Sequence, residues 1–133
     1  MTKQSLLKTI KRWKRYQDRG DWSSIPVHTR GFYVLYRKGR GKRYEVVYIG
    51  VAGLGAKLKG GITSRLRRHN KRIKDWSHYS FFEVHDNVTR EDIRELECLL
   101  LSIFRHDPRI KLENIQKGSR VLYELRQPKT WKQ

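Results

Sequence analysis

Two short runs rich in aromatic and β-branched residues, at 31–36 and 44–49, constrain the fold of this chain more than any other feature. The segment between them is basic and contains Gly39 and Gly41. Aromatic and β-branched residues favour extended backbone, and a glycine-containing break between two such runs is typical of a turn. We therefore predict a β-hairpin with a basic tip.

The chain after the hairpin alternates between helical and extended patterns. Apolar residues recur at helical spacing in 63–76 and again from 89 to about 106. The side chain of Thr63 or Ser64 is the expected N-cap of the first helix. Between the two helices, the composition of 79–85 predicts a strand.

A further helix is predicted at the N-terminus, from 2 to 18. The positions that define one face at helical spacing are Leu6, Leu7, Ile10, Trp13 and Gln17. Basic side chains cover the opposite face. Such a helix could cover the core, or it could lie along a phosphate backbone.

These elements together predict an α+β fold. We expect a small mixed sheet of three strands, or of four if a last strand at 121–125 joins it, flanked by helices and by the extra N-terminal helix. The length of 133 residues fits one domain, because two domains would each be too short to bury a core.

The charge of the chain points to a polyanionic partner. It has 31 Lys and Arg against 13 Asp and Glu, a formal net charge of +18. The net charge is +6 for 1–30, +11 for 31–80 and only +1 for 81–133, where nine of the thirteen carboxylates lie. A membrane surface would explain the basic charge but not this asymmetry. The acidic last third could hold a cation such as a metal ion.

Cysteine usage and hydropathy narrow the class further. A single cysteine, Cys98, excludes an internal disulfide and a thiolate zinc cluster, and we expect it to be a small buried apolar residue. No stretch approaches the ~18 apolar residues of a membrane span, and the N-terminus lacks an apolar signal core. We expect a cytoplasmic protein with no membrane partner, or a nuclear one if the source is eukaryotic.

The glycine-rich segment at 50–61 does not match a nucleotide-binding loop. Its glycines are in the wrong order for a dinucleotide fingerprint, and Lys57 is followed by Leu58 where a phosphate-binding loop needs Ser or Thr. We interpret this segment as a flexible loop.

Glu97 interrupts the apolar face of the last predicted helix, which also carries Ile93, Leu101 and Phe104. Burying an unpaired charge is costly, so a carboxylate in this position needs a salt bridge or a metal ion. Glu95 lies on the solvated side of the same helix. Glu97 is therefore a candidate metal ligand, with an internal salt bridge as the alternative.

Arg65 and His69 lie four residues apart, on one face of the first predicted helix. Arginine can stabilise the charge of a phosphate transition state, and histidine can accept a proton near neutral pH. The same helix could instead be a basic surface that contacts nucleic acid. Tyr33 and Tyr48 lie in the paired strands, where tyrosine is commonest as a packing residue.

Taken together, these residues resemble the GIY-YIG nuclease family. The namesake motifs would be 31–33 (Gly-Phe-Tyr) and 48–50 (Tyr-Ile-Gly); the second is a literal match, and the first has an aromatic residue where the family has an aliphatic one. The order of the remaining candidates makes the resemblance specific. They follow the strands as Arg65, His69, Glu97 and Asn114.

The resemblance covers 30–114, which would be the catalytic core. The remaining parts would be a basic N-terminal helix and loop at 1–29 and a C-terminal strand or tail at 115–133. The resemblance implies a metal-dependent endonuclease that acts on single- or double-stranded DNA. We expect a monomer or a homodimer.

The resemblance also implies a role for each candidate. Glu97 would bind one divalent cation, Mg²⁺ or alternatively Mn²⁺, and Arg65 would hold the scissile phosphate. Tyr33 would be the general base, or would pass its proton onward with the help of His69, while Tyr48 would shape the phosphate site. A tyrosine can be a base only if nearby cations lower its pKa, and we expect the basic surroundings to do so.

Spacing leaves two assignments open. Sixteen residues separate Tyr48 from Arg65, so Arg67 or Arg68 remains an alternative catalytic arginine. Asn114, which would brace the active site, has no motif around it. The candidate substrate-binding residues belong to the hairpin tip, the glycine loop, the basic helix and the asparagine: Arg37, Lys38, Arg40, Lys42, Arg43, Lys57, Lys59, Arg68 and Asn114.

The main alternative is a non-catalytic nucleic-acid-binding protein, such as an RNA-binding or ribosome-associated factor. It would explain the net charge of +18. It would not explain a carboxylate at Glu97 on an apolar helix face.

Overall fold

The computed structural model describes residues 9–26, 28–53 and 61–105. The described strands form one antiparallel sheet, in the order Ile10–Asp18, His78–Val84, Gly31–Lys38 and Tyr44–Ala52. The α+β prediction is therefore confirmed. The elements in chain order are β1 (Ile10–Asp18), β2 (Gly31–Lys38), β3 (Tyr44–Ala52), α1 (Ile62–Arg72), β4 (His78–Val84) and α2 (Arg90–Arg105).

The sheet lies between two buried clusters, one on each face. Successive side chains of a strand point to opposite faces. On one face Tyr33 of β2 packs in a cluster with Leu66 of α1, and on the other Phe32 packs in a cluster with Ile93 of α2. Tyr33 is thus on the side of the sheet that α1 covers.

The predicted hairpin is confirmed as β2 and β3. Tyr33 is directly opposite Gly50, and Leu35 is opposite Tyr48, so the two tyrosines lie on neighbouring strands. The expectation of a mixed sheet is wrong for the described strands, since they pair only in antiparallel fashion. The strand predicted at 121–125 lies outside the described residues.

The prediction of an N-terminal helix is wrong from residue 10 onward, because Ile10–Asp18 is the edge strand β1. Register shifts between Ile10 and Arg12 and between Lys14 and Gln17 interrupt the pairing of β1 with β4. Such bulges break the alternation of side chains by which a strand is recognised in a sequence. The same positions then fit helical spacing by chance. β1 is the fourth strand of the described sheet.

Helix α1 differs from its prediction at both ends. Gly61 is the N-cap and makes no side-chain capping hydrogen bond, so the capping role predicted for Thr63 or Ser64 is wrong. The helix ends at Arg72, where the pattern predicted about Trp76. Its apolar face was predicted correctly, since the buried residues are those at the predicted spacing.

Arg19, just after β1, holds the end of α1. Its guanidinium donates to the backbone carbonyls of Asn70, Ile73, Lys74 and Trp76 at 2.8 to 3.3 Å, and also to the Asn70 side chain. The last carbonyls of a helix lack partners within the helix, and a cation there opposes the helix dipole. Arg19 therefore fixes the position of α1 relative to the sheet.

Helix α2 begins as predicted. The Thr89 hydroxyl accepts from the Asp92 backbone N–H, and the Asp92 carboxylate accepts from the Thr89 backbone N–H, both at 3.1 Å. Reciprocal bonds of this kind satisfy two N–H groups that the helix leaves without partners.

Among the described residues, no helix has the length and apolar character needed to cross a membrane.

Candidate active site

A buried hydrogen bond joins Tyr33 and His69 at the contact between β2 and α1. The Tyr33 hydroxyl lies 2.6 Å from His69 Nε2. The two residues are only 2% and 8% exposed, respectively. The sequence placed these residues on a strand and on a helix; the packing of the helix on the sheet brings their polar atoms together.

Both glycines of the sequence motifs are required by this packing. A Cβ at Gly50 would lie 2.4 Å from the hydroxyl and the ring of Tyr33, and a Cβ at Gly31 would lie 2.0 Å from the Phe82 carbonyl oxygen. Gly31 also has φ of 153°, which other residues rarely adopt. The motif glycines thus allow β4 and the Tyr33 ring to approach the backbone.

Tyr48 completes an aromatic group around His69. Its ring centroid lies 4.4 Å from that of His69 and 6.0 Å from that of Tyr33, with the two tyrosine rings nearly parallel at 14°. Tyr48 is partly exposed, whereas Tyr33 is buried. Tyr48 is therefore the tyrosine that solvent can reach.

Glu97 of α2 is a buried carboxylate, 7% exposed. Among residues 9–26, 28–53 and 61–105, no side chain makes a hydrogen bond or salt bridge with it that the structure records. Burial raises its pKa, while the charges of Arg94 and Arg65 oppose that rise. The charge of Glu97 also raises the pKa values of Tyr33 and Tyr48, so the carboxylate acts electrostatically on the aromatic group.

The alternative interpretation of Glu97, an internal salt bridge, is therefore not supported by the described part of the chain. The described region contains no group of three or more His, Cys, Asp or Glu side chains that could hold a metal ion. Glu97 stands by itself as a candidate carboxylate ligand.

Arg65 is the exposed cation that all these groups share. Its charge lowers the pKa values of Tyr33, Tyr48, His69 and Glu97. Arg68 acts on Tyr48 and His69 as well. A helix places Arg68 on the same side as Arg65 and turns Arg67 away, so Arg68 is the better of the two alternatives for the catalytic arginine.

The pKa values differ from the expectation. Burial, followed by the nearby Tyr48, raises the pKa of Tyr33 far above its ordinary value, and this outweighs Arg65. The expectation that surrounding cations lower the tyrosine pKa is thus wrong for the free protein. Burial and the charges of Arg65, Arg68 and Arg72 lower the pKa of His69 to about 4. At neutral pH Tyr33 is protonated and His69 is neutral.

The predicted substrate-binding residues of the hairpin are not part of this group. Arg37 already pairs with Glu45 at 3.0 Å and with Asp75. The other four are exposed near the tip, which lies beyond the far end of β2 from Tyr33, about 20 Å along the strand at ~3.3 Å per residue. They are Lys38, Arg40, Lys42 and Arg43.

Three predicted residues, Lys57, Lys59 and Asn114, lie outside the described residues. Sequence reasoning also missed two cations of the group. Arg94 acts on Glu97, and Arg72 acts on His69. Their spacing could have identified them, since Arg94 precedes Glu97 by three residues and Arg72 follows His69 by three.

Comparisons of the chain with protein-family models, with curated proteins and with solved structures gave no match. The resemblance to the GIY-YIG nucleases therefore stands on the residues and their geometry alone.

Proposed function

We propose that this protein is a metal-dependent endonuclease of the GIY-YIG type that hydrolyses phosphodiester bonds in DNA. The observation that supports this most directly is Glu97, which is buried, has no salt bridge among the described residues and has its pKa lowered by the charge of Arg65. A protein that only binds phosphates has no use for a carboxylate next to its arginines, because the carboxylate repels phosphate. A cation between carboxylate and phosphate removes that conflict.

The donor chemistry of Glu97 fits a hard divalent cation. Mg²⁺ prefers oxygen ligands and is commonly bound through one or two carboxylates together with substrate phosphates. When bound, Mg²⁺ would act as a Lewis acid that stabilises negative charge on the phosphate. Burial raises the pKa of Glu97 in the free protein, and a nearby cation favours the ionised form.

Arg65 would hold the scissile phosphate. Its guanidinium is exposed on α1 and forms no salt bridge with the described carboxylates, so its donors are free for an anion. A guanidinium can donate two parallel hydrogen bonds to phosphate oxygens and is always charged. Charge that develops on those oxygens during hydrolysis would be stabilised in place, and Arg68 would add to the positive potential.

Tyr33 and His69 would move the proton of the attacking water. Tyr33 is protonated in the free protein, so it can accept this proton only as it gives its own to His69 Nε2, 2.6 Å away. Neutral His69 accepts it at Nε2 in the tautomer that carries its proton on Nδ1. A bound phosphate would offset the arginine charges that lower the pKa of His69, which makes the imidazole a better acceptor.

The proton transfer leaves hydroxide to attack phosphorus while the bond to the leaving oxygen breaks; the leaving oxygen then takes a proton from solvent water, and His69 releases its proton to solvent. Tyr48 would border the phosphate, because its ring contacts that of His69 and its side chain is partly exposed. This is the second of the two roles that the resemblance implies for Tyr33, a relay and not an independent base.

Cleavage with a carboxylate control tests the proposal. The purified protein is incubated with duplex DNA, single-stranded DNA or RNA, with Mg²⁺ or with EDTA. We expect cleavage of DNA with Mg²⁺ by the wild type and by Glu95→Gln, an exposed neighbour on α2. Glu97→Gln should lose roughly 10³-fold or more in rate while nucleic-acid binding persists.

Two results would overturn the proposal. One is a wild-type protein that binds DNA but cleaves none of the substrates with Mg²⁺ or Mn²⁺. The other is Glu97→Gln cleaving as fast as Glu95→Gln. The first result would favour the non-catalytic nucleic-acid-binding protein. The burial of the Tyr33 hydroxyl supports that second candidate, since packing alone would account for Tyr33.

A further inference from the structure

Strand β1 exposes an aromatic side chain at the outer edge of the sheet. It pairs with β4 on one side, and no described strand pairs with its other side. Edge strands are usually protected by charged side chains, which β1 has in abundance. Trp13 in their midst is 52% exposed. Its indole is therefore available to a partner at this edge.

The indole of Trp13 makes a cation–π contact with Arg15. The Arg15 guanidinium carbon lies 4.6 Å from its ring centroid. The guanidinium does not cover the whole indole, since half the surface of Trp13 stays exposed. A rigid exposed aromatic ring beside arginine is the arrangement on which unpaired bases stack.

The charge around Trp13 favours a polyanion. Residues 11–15 contain four basic residues and no acidic one. Arg12 is neutralised by Glu83 at 2.9 Å, and Lys11 lies 3.9 Å from the same carboxylate. Lys14 and Arg15 form no salt bridge within the described part of the chain. This edge therefore keeps a net positive charge that the fold does not use.

A cleft of about 370 Å³ opens beside these residues. Its lining combines the apolar side chains of Phe81 and Pro26 with the ammonium groups of Lys11 and Lys14. The Lys14 ammonium also lies 3.3 Å from the Ser24 hydroxyl. Apolar surface suits a base, and ammonium groups suit its phosphate, so the cleft has the chemistry of a nucleotide site.

The register connects this edge to the candidate active site. Lys14 is opposite Phe81, and Phe81 is opposite Tyr33, so the three lie in one row across the sheet. Two steps of ~4.8 Å between strands separate Lys14 from Tyr33, about 10 Å. Trp13 is opposite Phe82, so its side chain lies on the other face of the sheet from Tyr33.

We propose that the outer edge of β1 binds single-stranded nucleic acid, with Trp13 stacking on an unpaired base and Lys11 and Lys14 contacting its phosphates. For its relation to a cleaved bond, this inference rests on the proposed function. Duplex bases are stacked on one another and offer no face to an indole. The substrate class is therefore nucleic acid with an unpaired segment at the outer edge of β1.

Binding without cleavage tests this inference. Fluorescence anisotropy of the full chain in EDTA is measured with a short labelled DNA strand and with its blunt duplex. We expect Trp13→Ala to weaken single-strand binding about tenfold and to leave duplex binding nearly unchanged, as the loss of one stacked base predicts. Trp13→Phe should retain most of the affinity. Ile103→Ala, at an apolar residue of 57% exposure on α2, is the matched control and should behave as wild type.

Three results would overturn the inference: unchanged single-strand binding of Trp13→Ala, equal losses on single strand and duplex, or a larger effect of Trp13→Ala on binding to vesicles containing phosphatidylserine than on DNA. The last would identify a membrane surface as the partner. Since metal is absent, the outcome is independent of catalysis. A dead nuclease with Trp13-dependent binding refutes the proposed function alone, and an active nuclease without it refutes this inference alone.

Discussion

Glu83 on β4 and Glu97 on α2 are equally buried, at 8% and 7% exposure, yet their surroundings differ completely. At the sheet edge, Arg12 donates two hydrogen bonds of 2.9 Å to the Glu83 carboxylate, and Lys11 lies 3.9 Å away. In the candidate active site, Glu97 has the charges of Arg65 and Arg94 nearby but no recorded salt bridge among the described residues.

The difference teaches that burial of a carboxylate does not by itself indicate function. A buried charge is costly to leave unpaired, and Glu83 meets this cost within the fold. Glu97 has no such salt bridge among the described residues, although the charge of Arg65 lowers its pKa. Conversely, Arg65 stays available to an external anion, whereas Arg12 is already bound. The two regions thus predict opposite responses to the same substitutions.

The largest expected effect is the difference in DNA cleavage rate between substitutions of Arg65 and of Arg12. Arg65→Ala should lower the rate of DNA cleavage by roughly 10² to 10³, the usual cost of losing one group that stabilises the transition state. Arg12→Ala should leave the single-turnover rate on duplex DNA nearly unchanged, because its guanidinium serves Glu83. Arg67→Ala, on the same helix as Arg65, is the nearer control. If Arg65→Ala cleaves as fast as Arg67→Ala, the role belongs to another residue, Arg68 first.

The next largest effect is on the free energy of unfolding, which should change in opposite directions when Glu97 and Glu83 are replaced by glutamine. In the metal-free protein, Glu97→Gln should raise the free energy of unfolding by about 1 kcal/mol, because it removes a buried charge without a recorded partner. Glu83→Gln should lower it, since two charge-assisted bonds are lost. Chemical denaturation at neutral pH measures both.

The pH dependence of stability checks the effect expected for Glu97→Gln. Since burial raises the pKa of Glu97, the wild type carries the costly charge only at higher pH. The advantage of Glu97→Gln should grow with pH and vanish in acid. A Glu97→Gln protein that is less stable than wild type at neutral pH would mean that Glu97 has a stabilising partner.

The smallest expected effect is the contribution of His69 to the pH dependence of stability. Its pKa falls from 6.5 to about 4 on folding, so the unfolded chain binds the proton more tightly. The contribution of His69 to stability is complete above 6.5, its pKa in the unfolded chain. It is lost as the pH falls toward about 4, its pKa in the folded protein. Between about pH 7 and about pH 5.5 we expect a loss of roughly 0.5 kcal/mol after allowing for solvent screening, absent in His69→Gln. A midpoint near 6.5 for the His69 imidazole, measured by NMR titration, would contradict this prediction.

Much of the candidate site was accessible from the sequence because its members lie on regular elements. Tyr33 and Tyr48 follow from the hairpin, and helical spacing puts Arg65 and His69 on one face. Glu97 was identifiable as a charge on an apolar stripe. The structure brings these residues together, while their catalytic roles stay predictions. Cys98 is buried at 2% exposure, as its expected packing role requires.

Other features required contacts between distant parts of the chain. The strand β1 was predicted as a helix because its bulges hide the alternation, and only its pairing with β4 reveals it. The sequence likewise gave no indication that Arg12 would pair with Glu83, 71 residues away. Nor could it show that burial would outweigh Arg65 and raise the pKa of Tyr33.

The net charge, the hairpin, the two helices that follow it and the polar residues on these elements could all be predicted from the sequence. These are properties of composition and of local periodicity, which need no knowledge of distant neighbours. Tertiary structure alone decided which carboxylate is paired, which arginine is free and where the tyrosine proton resides. Those depend on desolvation and on distances between elements, and both exist only once the helices pack on the sheet.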